Sequence, residues 1–585
     1  DSLKSMLRYW CIQNAIKEVV FVKKWGKLLS VVMVAAMLTA GLVGCKKAKD
    51  GNTSTTADGN KIREYSLFVA TAGKEVPDDN RMYQQITEKI GAKAKVTWLT
   101  GQTDKERVGV MIAGNEYPDM IVGANATPDL VAAGALVDLK DKLDNYPNLK
   151  KFRSEAEWNM VEGACDGSIY YIPIFGKSNG EAMYVNHNDE AFWIQKRVLE
   201  WANWPEVNTL DQYFDLIQSY LAANPTDAAG QENIGYEILC DDWRWFCLEN
   251  PSQFLAGYAN DGAAIVDADT KTARNYDDIP EAKAYYTKLN EMYNAGVIDP
   301  ETFTMSYDQY IAKLSSGRVL GMVDQGWQFG DAKTSLISQG KDDCTYVPLD
   351  LTIEEGVATK YFTPAALNVG DGIAITTSCK DVDGALQFLN DLLDPEVITM
   401  RSWGEEGVDY MVDEDGMFYR TEEQRTNAKD PDWVNENLAS TIYSYIPNYS
   451  SGLLFDGKNA VNPSEQPSEF REGLSEYDKK VLDAYGYTKW TDFLTYSDDV
   501  GPWFPIYSAK NTWESSSDAA IAAQKMEEVK REWLPKVIMS SQDKVEDTWN
   551  EYMDKYHNDT NYKVFEDALS EAVAERIAIA EGNND

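Results

Sequence analysis

Two histidines, His187 and His557, are all that 585 residues contain. A histidine-based catalytic triad or a histidine-rich metal centre has almost no raw material here. His557 falls at the end of an amphipathic helical pattern and reads as a surface residue. Cysteine is scarce too: seven residues, at 11, 45, 165, 240, 247, 344 and 379, with no C-x-x-C pair. That excludes a thiolate zinc site and a disulfide framework. Cys240 and Cys247 are close enough in sequence to pair, but buried free thiols are the expectation. Positive charge is short as well. Lys and Arg number 55 against 95 Asp and Glu, for a net charge of −40. A surface of that sign repels phosphate, which removes nucleic acid from the partners. After residue 45 no apolar run is long enough to read as a membrane span.

What is present begins with Lys23, Lys24 and Lys27, then an apolar run from Leu28 to Leu42, then Gly44-Cys45. A basic start, a greasy core and small residues before a thiol resemble a bacterial lipoprotein signal. The resemblance implies acyl chains on Cys45 that hold the protein on the outer face of a cell membrane, in a Gram-positive bacterium. A single membrane helix is the plainer alternative. Residues 1–44 are thus read as a signal peptide, with 1–21 upstream of a true start near Val22. Residues 45–61, small and polar after Cys45, read as a tether.

The length calls for two or three domains. Tyr65–Ala70 reads as a strand. Asp78 and Asp79 are placed to cap a helix with Met82, Tyr83, Ile86 and Ile90 on one face and Gly91 at its end. Lys95–Thr100 and Met120–Val122 read as further strands, and strand-helix-strand at this spacing argues for parallel βαβ units. Farther on, the pattern predicts a helix from Lys283 to Gly296 and strands at Arg318–Val323 and Gly372–Thr376. A helix carrying Leu386, Phe388 and Leu389 follows, then a hairpin over Val408–Arg420 and an extended loop over 448–476. Ser540-x-x-Asp543 has the spacing of a capping box for a helix bearing Trp549, Tyr552 and Tyr556. The acidic stretches Asp413-Glu414-Asp415-Gly416 and Asp267-Ala268-Asp269 lack the remaining ligands of a calcium loop and read as hairpin turns.

Several stretches, in order, resemble the extracellular solute-binding lipoproteins of sugar ABC transporters, of the broad maltose-binding-protein-like kind. Gly114-Asn115-Glu116-Tyr117-Pro118-Asp119 before an apolar strand is similar to that family's G-x-x-P-D signature. Ala133 to Leu139, Asp166 to Pro173, and Gly317-Arg318-Val319 running to Trp327 are similar to its later segments. Ser402-Trp403-Gly404-Glu405-Glu406-Gly407 resembles the long, oligosaccharide-type members. The resemblance implies an α/β fold of two lobes, periplasmic-binding-protein-like (type II), with an interlobe cleft and several crossovers. It places lobe 1 at 62–179 and 363–425, and lobe 2 at 180–362 and 426–585.

The same resemblance, joined to the residue chemistry, gives the candidate ligand contacts. Trp327 follows a strand and the turn Asp324-Gln325-Gly326, so its indole should project at a strand's carboxyl end, where a sugar's C–H face stacks. Trp243 with Asp242 offers a ring beside a carboxylate that accepts from hydroxyls. Glu181 and Asn125 follow the first crossing and the Met120–Val122 strand, and Trp503 is a later aromatic; each also has an ordinary structural reading. The implied function is capture of a carbohydrate, expected to be an oligosaccharide, by a monomeric binding protein without cofactor or catalysis, and its delivery to an ABC transporter permease. A surface glycoside hydrolase and a sugar-sensing receptor subunit are the alternatives, and a non-sugar solute stays open. Cys45→Ala is expected to abolish incorporation of labelled palmitate and to move the protein from the detergent phase to the aqueous phase on partitioning.

Overall fold

The strand Ile373–Ile375 sits in the middle of a sheet whose other members all precede residue 173. The computed structural model describes residues 53–55 and 61–581, apart from Glu181, Ala268 and Asp371. Cys45, the signal and most of the tether lie outside the described residues, and so does Glu181. We number the strands of the two main sheets β1 (Lys61–Val69), β2 (Ala92–Trp98), β3 (Met120–Val122), β4 (Tyr171–Ile172), β5 (Glu190–Gln195), β6 (Ile234–Glu237), β7 (Val319–Gln325), β8 (Tyr346–Leu349) and β9 (Ile373–Ile375).

In the first sheet β1 lies parallel to both β2 and β3. The expected βαβ units are there, because Arg81–Ile90 and Asp104–Gly114 form the connecting helices. β9 then runs antiparallel between β3 and β4, with Ile373 opposite Val122 and Ile172. Thr53–Thr55 extends the sheet beyond β1. The second sheet has the order β8-β5-β7-β6, with β7 antiparallel to β5 and parallel to β6. β3, β5, β8 and β9 are buried throughout, as strands covered on both faces must be.

Each sheet has its own apolar core. The first core draws on residues from Tyr65 to Ile174 and again from Leu367 to Val461. The second draws on Ala191 to Phe362 and Val481 to Val573. The first core therefore continues past 425, through Ala439, Tyr443 and Tyr449. Three C-terminal helices, Asp518–Met539, Val545–Asp559 and Tyr562–Ala580, complete the second core. All five cysteines of the described residues are free and buried.

Local differences from the sequence reading have simple causes. Asn80, not Asp78 or Asp79, caps the first helix, accepting from the Tyr83 amide at 2.9 Å. It is fully buried and also donates to Leu438. Ser540 does not open the helix at Val545; its hydroxyl donates back to Val537 O in the preceding helix. The stretch 448–476 is not one loop, since Ser451–Gly452 pairs with Ser178–Asn179 and Pro467–Gly473 is helical. Both acidic stretches are hairpin turns: Met411–Val412 pairs with Phe418–Tyr419, and Ile265–Val266 with Ala273–Arg274. His557 lies at the surface against Asp278 Oδ2 at 2.9 Å.

Trp403 shows how the late residues of the first core are held. Its ring is fully buried against Tyr410 and Phe418, and its Nε1 donates to Ala460 O at 2.9 Å. Trp403→Ala leaves a large void and an unpaired carbonyl. It is expected to lower stability by about 3–5 kcal/mol, read as a lower urea midpoint.

Candidate functional site

β7 carries a buried run, Val319 to Asp324, and then must turn. Gly326 makes the turn feasible, because a Cβ there would lie 2.6 Å from His187 O and 3.0 Å from Asn188 Cα. Asp324 fixes the turn from beneath. Its Oδ1 accepts from the Gln325 amide at 2.7 Å and from Gln328 Nε2 at 2.6 Å, and its Oδ2 accepts from the Tyr310 hydroxyl at 2.7 Å. Its carbonyl takes the Trp193 Nε1–H at 2.7 Å. Tyr307 OH donates to Gln328 O at 2.6 Å from the neighbouring helix, Tyr307–Ser316. With its neighbours pinned, Trp327 stands 54% exposed at the carboxyl end of β7.

Trp243, 43% exposed, lies beside it. The indoles are 6.1 Å apart and inclined by 16°, and Phe246 stacks on Trp243 at 5.7 Å. Asp242 is exposed and adopts φ +54°, which turns the chain so that Trp243 faces outward. Asp241 anchors this turn by accepting from the Tyr307 amide at 2.8 Å. The Arg244 guanidinium rests 4.7 Å from the Trp243 ring and 4.1 Å from the Tyr307 ring. The two segments singled out in the sequence thus form one aromatic wall.

The first sheet presents its carboxyl ends in one row, Val69 beside both Trp98 and Val122. Asn125 lies just beyond β3, exposed, its amide donating to Asp104 Oδ2 at 3.1 Å. Trp98 closes β2 and meets Tyr445 edge-on at 5.6 Å, and Tyr445 meets Phe175 at 5.7 Å. Gly73 lies on the Trp98 ring so closely that a Cβ would fall 2.2 Å from it. Its neighbour Lys74 reaches Asp331 Oδ2 at 3.8 Å, in the first turn of the helix that follows Trp327. Ser515 Oγ also bonds Asp129 Oδ2 across the same two bodies. The segment beside Trp98 and the helix after Trp327 therefore meet at one junction. Such a place, beyond the carboxyl ends of strands, is where open α/β sheets hold ligands.

Trp503 sits elsewhere, half-buried against the second core. Its carbonyl accepts from Arg576 Nη1 at 2.8 Å, and Lys271 Nζ lies 5.1 Å above its ring. Among the described residues no ring contact joins it to the Trp243–Trp327 pair. The sequence reading missed Trp98, Tyr445, Phe175, Arg244 and Tyr307. Trp98 carried a signal close to that of Trp327, an aromatic at a strand's carboxyl end beside a glycine-containing turn. Running that strand on to Thr100 hid it.

Residues 81–405 match the family described as bacterial extracellular solute-binding protein. The chain is 23% identical over 478 residues to the lipoprotein LipO of Bacillus subtilis, covering 77% of this chain and 87% of that one. Two solved structures share the fold. One is the S. pneumoniae ABC-transporter substrate-binding protein FusA in complex with kestose, at TM-score 0.61 and 14% identity, covering 88% of this chain and all of that one. The other is an HMO-binding, ABC-transporter-associated solute-binding protein from Bifidobacterium longum infantis, at TM-score 0.60 and 14% identity, covering 89% and 99%.

Burial raises the Asp324 carboxyl from the ordinary 3.8 to about 7, although its four donors, Tyr310, Gln325, Gln328 and the Cys247 thiol, pull the other way. A carboxyl whose folded value is raised contributes stability that is complete below the ordinary value and is lost as pH climbs through about 7. Melting temperature is expected to fall over that interval, and Asp324→Asn, which cannot ionise, is expected to flatten the fall. Thermal scans of both proteins across the interval check this.

Proposed function

The chain belongs to the bacterial extracellular solute-binding proteins, and from that premise we propose that it captures an oligosaccharide between its two bodies and hands it to an ABC importer. The observation that carries this reading is the exposed, near-parallel pair Trp243 and Trp327, with Trp327 at the end of β7. Sugar rings present flat C–H faces that stack on indoles, and a buried strand end holds such indoles rigid. The kestose complex and the HMO-binding relative supply the ligand class by likeness. LipO's name agrees with a lipid on Cys45 as the anchor.

In this reading lobe 1 supplies Trp98 and Asn125, and lobe 2 supplies Trp243, Trp327 and Asp242. Glu181 and Trp503 remain candidates at the crossing and along the C-terminal layer. Contacts made from both bodies exist only in the closed state, so ligand shifts the population toward closure. The protein acts as a monomer that binds and releases its ligand unchanged.

Calorimetry against a panel of oligosaccharides tests the proposal, and absence of binding throughout the panel counts against it. Trp327→Ala is expected to weaken binding about tenfold to a hundredfold, since a stacked aromatic at such a centre contributes on the order of 1–3 kcal/mol. Its melting temperature should stay close to the parent's, because the ring is more than half exposed.

A further inference from the structure

Arg244 is a cation without a carboxylate partner in a chain that carries 95 acidic residues. Among the described residues its guanidinium has only ring contacts, Trp243 on one side and Tyr307 on the other. Its Nε is buried and unpartnered, whereas its terminal nitrogens are not among the buried unpartnered atoms. The terminal N–H groups are therefore the ones that reach solvent. The contrast with other cations is plain: Lys313 meets Asp299 at 2.6 Å and Glu301 at 2.8 Å, and Arg81 meets Asp409 at 2.7 Å and Glu405 at 2.9 Å.

Apart from the exposed Asp242, the carboxylates of the adjoining segments are committed elsewhere. Asp241 accepts from the Tyr307 amide, Asp331 pairs with Lys74, and Asp324 lies buried under its donors. With no hydrogen-bond partner for its side chain among the described residues, the guanidinium keeps its terminal donors free. The planar edge of those donors matches the two oxygens of a carboxylate. It lies directly beside the wall on which a sugar ring would stack.

Resting on the carbohydrate reading above, we propose that the ligand is an acidic oligosaccharide, with a uronate carboxylate held by Arg244 while its ring stacks on the exposed Trp327. A pyranuronate carries its carboxylate at the ring edge, so a ring stacked flat presents the group sideways, toward a neighbouring cation. Asp242, exposed next to Trp243, is the opposing charge that selects against anions held in any other position.

The experiment is calorimetry of the purified protein with short oligomers of galacturonate, glucuronate and mannuronate, with the methyl ester of each, and with neutral oligosaccharides. Each ester keeps the ring and the linkage and removes the charge. At least one uronate oligomer is expected to bind about tenfold or more tighter than its own ester, the size of a charge-assisted hydrogen bond. Arg244→Gln is expected to erase that preference while leaving ester affinity unchanged, and Arg244→Lys to retain part of it. Asp242→Asn, which suits the positive φ, is expected to raise the ratio of uronate to ester affinity and serves if the arginine variants fold poorly. Esters or neutral sugars bound as tightly as the acids, or an Arg244→Gln loss equal for both, overturn the proposal and leave sugar capture standing. No binding by any member of the three sets overturns sugar capture as well.

Discussion

The first sheet cannot close until the chain has built most of a second body and come back. β9 is the strand that joins β3 to β4, and it arrives some two hundred residues after β4. Everything about the junction follows from that order. The outgoing and returning connections must lie side by side, and they do: Gly176, at φ +70°, passes so near Ala366 that a Cβ would fall 2.1 Å from its carbonyl oxygen. Tyr184, Phe362 and Tyr496 pack together at the same crossing, with centroids 5.0–6.0 Å apart. A third passage, after Val461, carries the chain back to the second core. Several strands of backbone joining two separately packed cores are stiff along the chain and free to bend across it, which suits a hinge.

The junction's chemistry is built mainly by the second body. A buried carboxylate with donors on every side, but no cation, is costly to keep charged. Asp324 bears that cost at the one turn where an indole must be presented outward, and Tyr307 and Tyr310 come from the same helix to help hold it. Tyr307 serves twice, since its ring also carries Arg244. The ring pair and its cation thus share one support, Tyr307.

Much of this was legible in the chain. Alternation of buried strands with capped helices announced the parallel units of β1, β2 and β3, though not the antiparallel β9 and β5, and the turn after β7 announced Trp327. Trp243 was visible as an aromatic among aspartates, although its stacking on Trp327, across 84 positions of sequence, was not. Asn80 was overlooked as a cap because two aspartates precede it, and only the fold shows that its amide is needed by Leu438. The pairing of Trp98 with Tyr445 depends on the first core running on to Val461, a long-range fact that no local pattern carries. Arg244 lacked any signal, since what marks it is the carboxylate it does not have.

Two near-parallel indoles, 6.1 Å apart and both exposed, offer aromatic surface rather than a set of hydrogen-bonding groups. Hydrogen-bonding pockets count a polymer's units because each hydroxyl must meet its own partner, whereas a flat aromatic face accepts every ring alike. A chain lying on Trp243 and Trp327 can shift by one unit and meet the same surface again. Register would then be set by whatever sits at the edge of the wall, and length would go unread. In the proposed reading, a receptor of this build suits a mixture of fragments released from one polymer better than a single defined sugar.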